Sequence, residues 1–267
     1  MRTRAGQIAG LLVALLLSLF LASCSGGSAS DTTTTVSGSA SDTTTSSSGG
    51  HADIVADEAS PAQDVLNAVY SSVVNIDVKA TVNGQTGEGI GSGVVYTADG
   101  YILTNDHVVT LDGNVTSGQT ITVTFSSGEQ APATLVGTDS NHDVAAIKVD
   151  KTGLNPVVFG PTADVELAEW AIVIGSPLDF RNSVTLGIIS GLDRSLQVSS
   201  SQTLTGLIQI DAAISPGNSG GGCFDAKGRF VGMPEVYLPP GSTGAENIGF
   251  AIAGDTVASV AKTLIGQ

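Results

Sequence analysis

From about Ser72 onward the chain is cut into short β-rich runs separated by turn dipeptides, and no other feature limits its fold so strongly. The runs are Val73–Val78, Ile90–Tyr96, Tyr101–Thr104, Thr120–Phe125, Ala133–Val136 and Val144–Val149. A second set comprises Trp170–Ile174, Ser183–Ser190, Leu207–Ile210, Arg229–Val231 and Ile248–Ile252. Asn83-Gly84, Asp99-Gly100, Asp112-Gly113 and Ser127-Gly128 mark reversals, because Gly and Asn enter the backbone region that tight turns need. Strands this short and closely spaced build a sandwich or a barrel. Residues 151–162 divide them into two similar halves, so an all-β fold of two packed β-barrels is expected, over about residues 72–155 and 160–254. Helical periodicity is confined to the flanks. Pro61–Tyr70 places Val65, Leu66 and Val69 on one face, and Asp255–Ile265 does the same with Val257, Val260, Ala261 and Leu264.

The first sixty residues are different. Arg2 and Arg4 precede an apolar run, Leu11–Leu21, that is shorter than the roughly 20 residues of a spanning helix. With Leu21-Ala22-Ser23-Cys24 behind it, Met1–Ser23 resembles a bacterial lipoprotein signal, which implies cleavage before Cys24 and a lipid on that residue. Ser25–Gly50 holds 9 Ser, 7 Thr and 5 Gly in 26 residues, with Gly-Ser-Ala-Ser-Asp-Thr-Thr-Thr at 27–34 repeated at 38–45. Such a tract has no apolar face to offset the entropy of ordering, so residues 24–60 read as a disordered tether. The folded unit is then 61–267, held at an extracytoplasmic membrane surface.

Charge narrows the partners. Lys and Arg number 10 against 25 Asp and Glu, a formal −15, or −17 once Arg2 and Arg4 are removed. Nucleic-acid binding depends on clustered cations, so no such partner is expected. Two cysteines exclude a disulfide scaffold and a Cys-rich zinc site. The pattern calls for neither a cofactor nor a metal ion.

Three segments carry reactive side chains: Thr104-Asn105-Asp106-His107-Val108-Val109, Asn141-His142-Asp143-Val144-Ala145-Ala146-Ile147, and Ser215-Pro216-Gly217-Asn218-Ser219-Gly220-Gly221-Gly222. A hydroxyl is a weak nucleophile at neutral pH. It needs an imidazole as base, a carboxylate to fix the imidazole tautomer, and N–H donors for the developing oxyanion. Ser219, His107, Asp143 and the N–H groups of Gly217 and Ser219 are the candidates. His142 is a rival base, but it adjoins Asp143, and neighbours along a strand point to opposite faces. Gly217-Asn218-Ser219-Gly220-Gly221 also fits the nucleophile elbow of α/β-hydrolases, whose histidine follows the serine. Here His51, His107 and His142 all precede Ser219, which excludes that fold. The order His, Asp, Ser is that of the chymotrypsin-type double barrel.

These segments, with Gly91-Ser92-Gly93, Ile172-Val173-Ile174-Gly175-Ser176-Pro177, Val184–Ser190, Asp211–Ile214 and Ile248-Gly249-Phe250-Ala251-Ile252, resemble the protease domain of the HtrA/Deg group of trypsin-like serine proteases. The resemblance runs in order from about Ser72 to Ile252. It implies a chymotrypsin-like double β-barrel, with His107 as general base, Asp143 as its orienting acid and Ser219 as the nucleophile of an endopeptidase. It implies polypeptide substrates, unfolded envelope proteins among them, and a homotrimer, since trimers are frequent in the group. A chaperone-like binding module without turnover is the competing expectation.

Departures from the group refine this. Digestive relatives carry Asp before the serine, paired with a new N-terminus; Asn218 stands there, so no such ion pair is expected. Ala213 replaces the carboxylate that selects Lys or Arg at the cut, and with Ile214 it implies an apolar pocket. Gly232-Met233-Pro234-Glu235-Val236 stands where the group has Gly-Ile-Asn-Thr and a strand that pairs with substrate. Glu235 and Val236 are therefore substrate-facing candidates, while Pro234 cannot donate a hydrogen bond and suits an edge or bulge. Cys223 reads as a small buried apolar residue. Only 15 residues follow Ile252, too few for the PDZ domain that most relatives carry.

Overall fold

The computed structural model describes residues 61–82, 84–175, 183–199, 202–237 and 247–266. The signal segment, Cys24, the tether and His51 lie outside the described residues.

An amphipathic helix, α1 (Pro61–Val69), opens the described chain and turns Val65 and Val69 inward. Six strands follow: β1 (Val73–Val82), β2 (Gln85–Val95), β3 (Tyr101–Thr104), β4 (Thr120–Thr124), β5 (Gln130–Asp139) and β6 (Val144–Val149). They close into a barrel in the order β1-β2-β3-β6-β5-β4. A short helix, α2 (Asp106–Thr110), stands between β3 and β4. The next seven strands are β7 (Val158–Phe159), β8 (Trp170–Gly175), β9 (Ser183–Gln197), β10 (Thr203–Ile210), β11 (Gly222–Phe224), β12 (Arg229–Tyr237) and β13 (Gly249–Ala253). They form one sheet in the order β11-β8-β9-β10-β13-β12-β7, and an added pairing of β11 with β12 makes a second ring. Helix α3 (Gly254–Ile265) follows. The fold is all-β, as expected.

Strands β3 and β6 have the predicted limits, because their apolar runs are buried between neighbours on both sides. β5 is six residues longer than predicted. It alternates exposed and half-buried positions, and Gln130, Pro132 and Gly137 hide it from a hydrophobic pattern. The predicted elements omit strands β7 and β11 and helix α2, which are two, three and five residues long.

Ile76, Ile102, Ile121 and Ile147 fill the first barrel. Val173, Ile189, Ile208 and Ile210 fill the second. The largest apolar cluster lies between them. There Val73, Val94, Leu103 and Val144 meet Ile172, Ile174, Phe224 and Phe230. Val65 of α1 and Val257 of α3 extend the same cluster. Each fully buried aliphatic or aromatic side chain contributes about 1.5–3 kcal/mol, so this shared layer holds the barrels in register.

Cys223, on β11, is fully buried. Burial, with the Asp225 charge adding to it, pushes its thiol up to about 12. The thiolate is the reactive form, so native protein should resist a disulfide reagent at pH 8 and react only on unfolding in guanidinium. Rapid labelling of the native state would contradict this.

Candidate active site

β3 leads into Asn105, whose extended backbone (φ −77°, ψ 149°) starts α2 and sets His107 in its first turn. Asp143 immediately precedes β6 with φ 53°. Asp and Asn tolerate this left-handed region better than most residues. Asn105 Nδ2 donates to the Asp143 carbonyl at 2.8 Å and stabilises the bend. The bend turns the Asp143 carboxylate back onto α2. There the His107 backbone N–H donates to Oδ1 at 2.9 Å, and ring Nδ1 lies 2.7 Å from Oδ2. With Nδ1–H committed to a buried carboxylate, Nε2 is the nitrogen left to accept a proton. Burial works against an imidazolium. The hydrogen bond to Asp143 and the charges of Asp143, Glu235 and Asp112 outweigh it, and His107 titrates above its ordinary range.

Ser219 sits on the turn between β10 and β11. Gly217 (φ 103°) and Gly220 (φ 81°) occupy backbone regions that favour glycine. A Cβ on Gly220 would also collide with the Ser92 carbonyl and the Thr104 hydroxyl. The turn is fastened to the first barrel, because Ser92 Oγ donates to the Gly217 carbonyl at 2.6 Å and Ser92 N–H to the Ser219 carbonyl at 2.9 Å. Against β12, Gly220 N–H donates to the Pro234 carbonyl at 3.1 Å. Ser219 Oγ donates to the Glu235 carbonyl at 3.0 Å. Among the described residues no hydrogen bond joins Ser219 to His107, although both line one pocket of about 250 Å³ with Gly217. The N–H groups of Gly217 and Ser219 have no partner among the described residues.

The remaining candidates are spread more widely. Asn218 is 2% exposed and its Oδ1 has no partner among the described residues, so a neutral amide is buried beneath the turn. Ala213 is exposed and its carbonyl accepts from Thr185 Oγ1 at 2.8 Å. Ile214 is buried in the core of the second barrel, packed on Gly249. The Val236 side chain lies outside the description. Pro234 borders a register shift between β12 and β13, so a bulge absorbs the missing donor. His142 pairs with Asp139 at 2.9 Å on the surface.

Glu235 is the residue whose position the sequence left open. Its carboxyl lies beside the base: His107, Asp143 and Glu235 offer ligand atoms all within 4.8 Å of one another. Burial, with the Asp143 charge, raises Glu235 to about 7, opposed by His107. The Nδ1 proton is already shared with Asp143, so the three form a hydrogen-bonded cluster around the base more than an open ligand set. No local spacing relates Glu235 to His107. The substitution of Pro-Glu into the substrate-strand motif was the one visible signal.

The comparisons give the family. The trypsin-like peptidase domain model matches residues 91–233. A probable periplasmic serine endoprotease of the DegP-like kind from Pseudomonas putida is 39% identical over 178 residues, 66% of this chain and 35% of its own length. The serine protease PepD of Mycobacterium tuberculosis is 34% identical over 233 residues, 79% of this chain and 50% of its own. The chain thus spans between a third and a half of these relatives. Among solved structures, an HtrA-type protease variant with a decapeptide matches at a TM-score of 0.68 and 28% identity, covering 77% of this chain and 68% of that one. The chain belongs to the family of trypsin-like peptidases and is of the HtrA type.

Proposed function

We propose that this chain is an extracytoplasmic serine endopeptidase that cuts polypeptides through an acyl-enzyme. The two-point hold of Asp143 on His107, facing the Ser219 turn, carries the reading. Ser219 attacks the peptide carbonyl, His107 Nε2 takes its proton and returns it to the leaving amine, and water then releases the acyl group. Asp143 keeps the imidazole in the required tautomer. The unengaged N–H groups of Gly217 and Ser219 are the donors for the oxyanion. Before attack the hydroxyl turns from the Glu235 carbonyl to Nε2. Unfolded envelope proteins are the substrate class, a lipid on Cys24 with the following tether holds the enzyme at the membrane, and the active form is a homotrimer.

A fluorophosphonate probe tests the chemistry directly. One phosphonyl group per chain is expected, on Ser219. Because His107 is raised above 6.5 and must be neutral to act, labelling should fall away as the pH drops below that raised value. A second reading, peptide binding without turnover, is favoured by the bond from Ser219 Oγ to Glu235. Peptide binding by protein that stays unlabelled at every pH would select it and sink the endopeptidase.

A further inference from the structure

His107 borders a second, larger pocket of about 460 Å³ on its Glu235 side. Asp106, Asp112, Asp143 and Glu235 all line it, and no Lys or Arg does so among the described residues. Two of these acids each hold one buried oxygen without a hydrogen-bond partner among the described residues. Asp106 is only 8% exposed; burial raises its carboxyl, its side chain is hydrogen-bonded to Thr138, and its Oδ1 has no partner among the described residues. Glu235 Oε2 is likewise shut from solvent and without one. Buried carboxylate oxygens without partners are costly, and four acids beside a single imidazole leave the pocket short of positive charge. Ser140 and Gln202 on its rim add neutral polar groups.

We propose that this pocket is a recognition site for one cationic side chain of the substrate, lysine or arginine, held between Glu235, Asp106 and Asp112 beside the catalytic imidazole. The proposal rests on the peptide-cleaving reading of the same site. The basic residue it selects is distinct from the residue at the cut, which lies against the Ser219 turn. A charge-assisted hydrogen bond inside a pocket exceeds a neutral one, so exchange of lysine for its uncharged near-isostere norleucine should cost about tenfold to a hundredfold in affinity. The bound cation also acts on the base. His107 is faced by Asp143 from the start of β6, Glu235 from β12, Asp106 from α2 and Asp112 just after it. A positive charge among them offsets the field that keeps the imidazole protonated.

Peptides carrying lysine, norleucine or glutamate at each of six successive positions provide the test, with binding to the Ser219→Ala protein followed by fluorescence anisotropy at pH 8 in EDTA. One position is expected to favour lysine over norleucine by at least tenfold, and over glutamate by more. The preference should shrink below threefold when Glu235→Gln or Asp112→Asn is added, and narrow at pH 6, where Glu235 and His107 both gain protons. Equal affinity for lysine and norleucine at every position, or a preference untouched by either substitution, overturns the pocket. Wild-type protein is then given the same peptides. Failure to cut a peptide that binds tightly counts against Ser219 as nucleophile and leaves the binding result standing. In cleaved pairs, the acid limb of kcat should lie at lower pH for the lysine peptide than for norleucine.

Discussion

Replacing Ser219 with alanine is expected to lower kcat on unfolded casein by about a millionfold, the loss seen when subtilisin loses its nucleophile. The size of that number decides between the two readings of the site. In the resting geometry the Ser219 hydroxyl donates to the Glu235 carbonyl. A neutral hydrogen bond of this kind contributes about 0.5–1.5 kcal/mol net, which is roughly a threefold to tenfold effect on an equilibrium. A threefold to tenfold brake is small beside a millionfold acceleration, so the bond slows an enzyme without abolishing it. Wild type and Ser219→Ala should therefore differ by orders of magnitude in casein digestion while their circular dichroism spectra coincide. Matching, near-background rates in the two proteins would leave only the binding module.

The second large effect is expected at Asp143, where asparagine should lower kcat by about ten-thousandfold, as it does at the corresponding role in trypsin. Both carboxylate oxygens are in use, one by the His107 backbone N–H and the other by Nδ1. An amide has one acceptor and one donor. Whichever way it faces, one of the two His107 groups meets an N–H, and the favoured remedy is the tautomer with its proton on Nε2, where it cannot accept from Ser219. Asparagine is the informative choice because it also tolerates the φ of 53° at this position, so removal of charge is separated from backbone strain. Full activity in Asp143→Asn, measured as initial rates across the pH range, would remove Asp143 from the mechanism.

Why these residues could be read in the sequence, and others could not, follows from where the information is stored. His107, Asp143 and Ser219 each sit in a local motif with its own strand or turn, and their order along the chain excluded the rival hydrolase. The double barrel was legible for the same reason: Tyr101–Thr104 and Val144–Val149 are mostly apolar, with Thr104 and Lys148 the polar exceptions. Glu235 was not placed beside His107, because their proximity exists only after β12 is laid against the first barrel's α2. Nor does any pattern specify that Ser219 rests on a carbonyl of β12. β11 went unseen because Gly222-Cys223-Phe224 continues a glycine run and gains its strand character by pairing with both β8 and β12.

His107, the proposed proton acceptor, belongs to one barrel and Ser219, the proposed nucleophile, to the other, and Ser92 spans the seam with two hydrogen bonds to the Ser219 turn. Turnover thus reports how firmly the halves are docked. Moderate heat or a low dose of denaturant should silence the molecule while each barrel still holds its strands, as a fuse opens before the wiring melts.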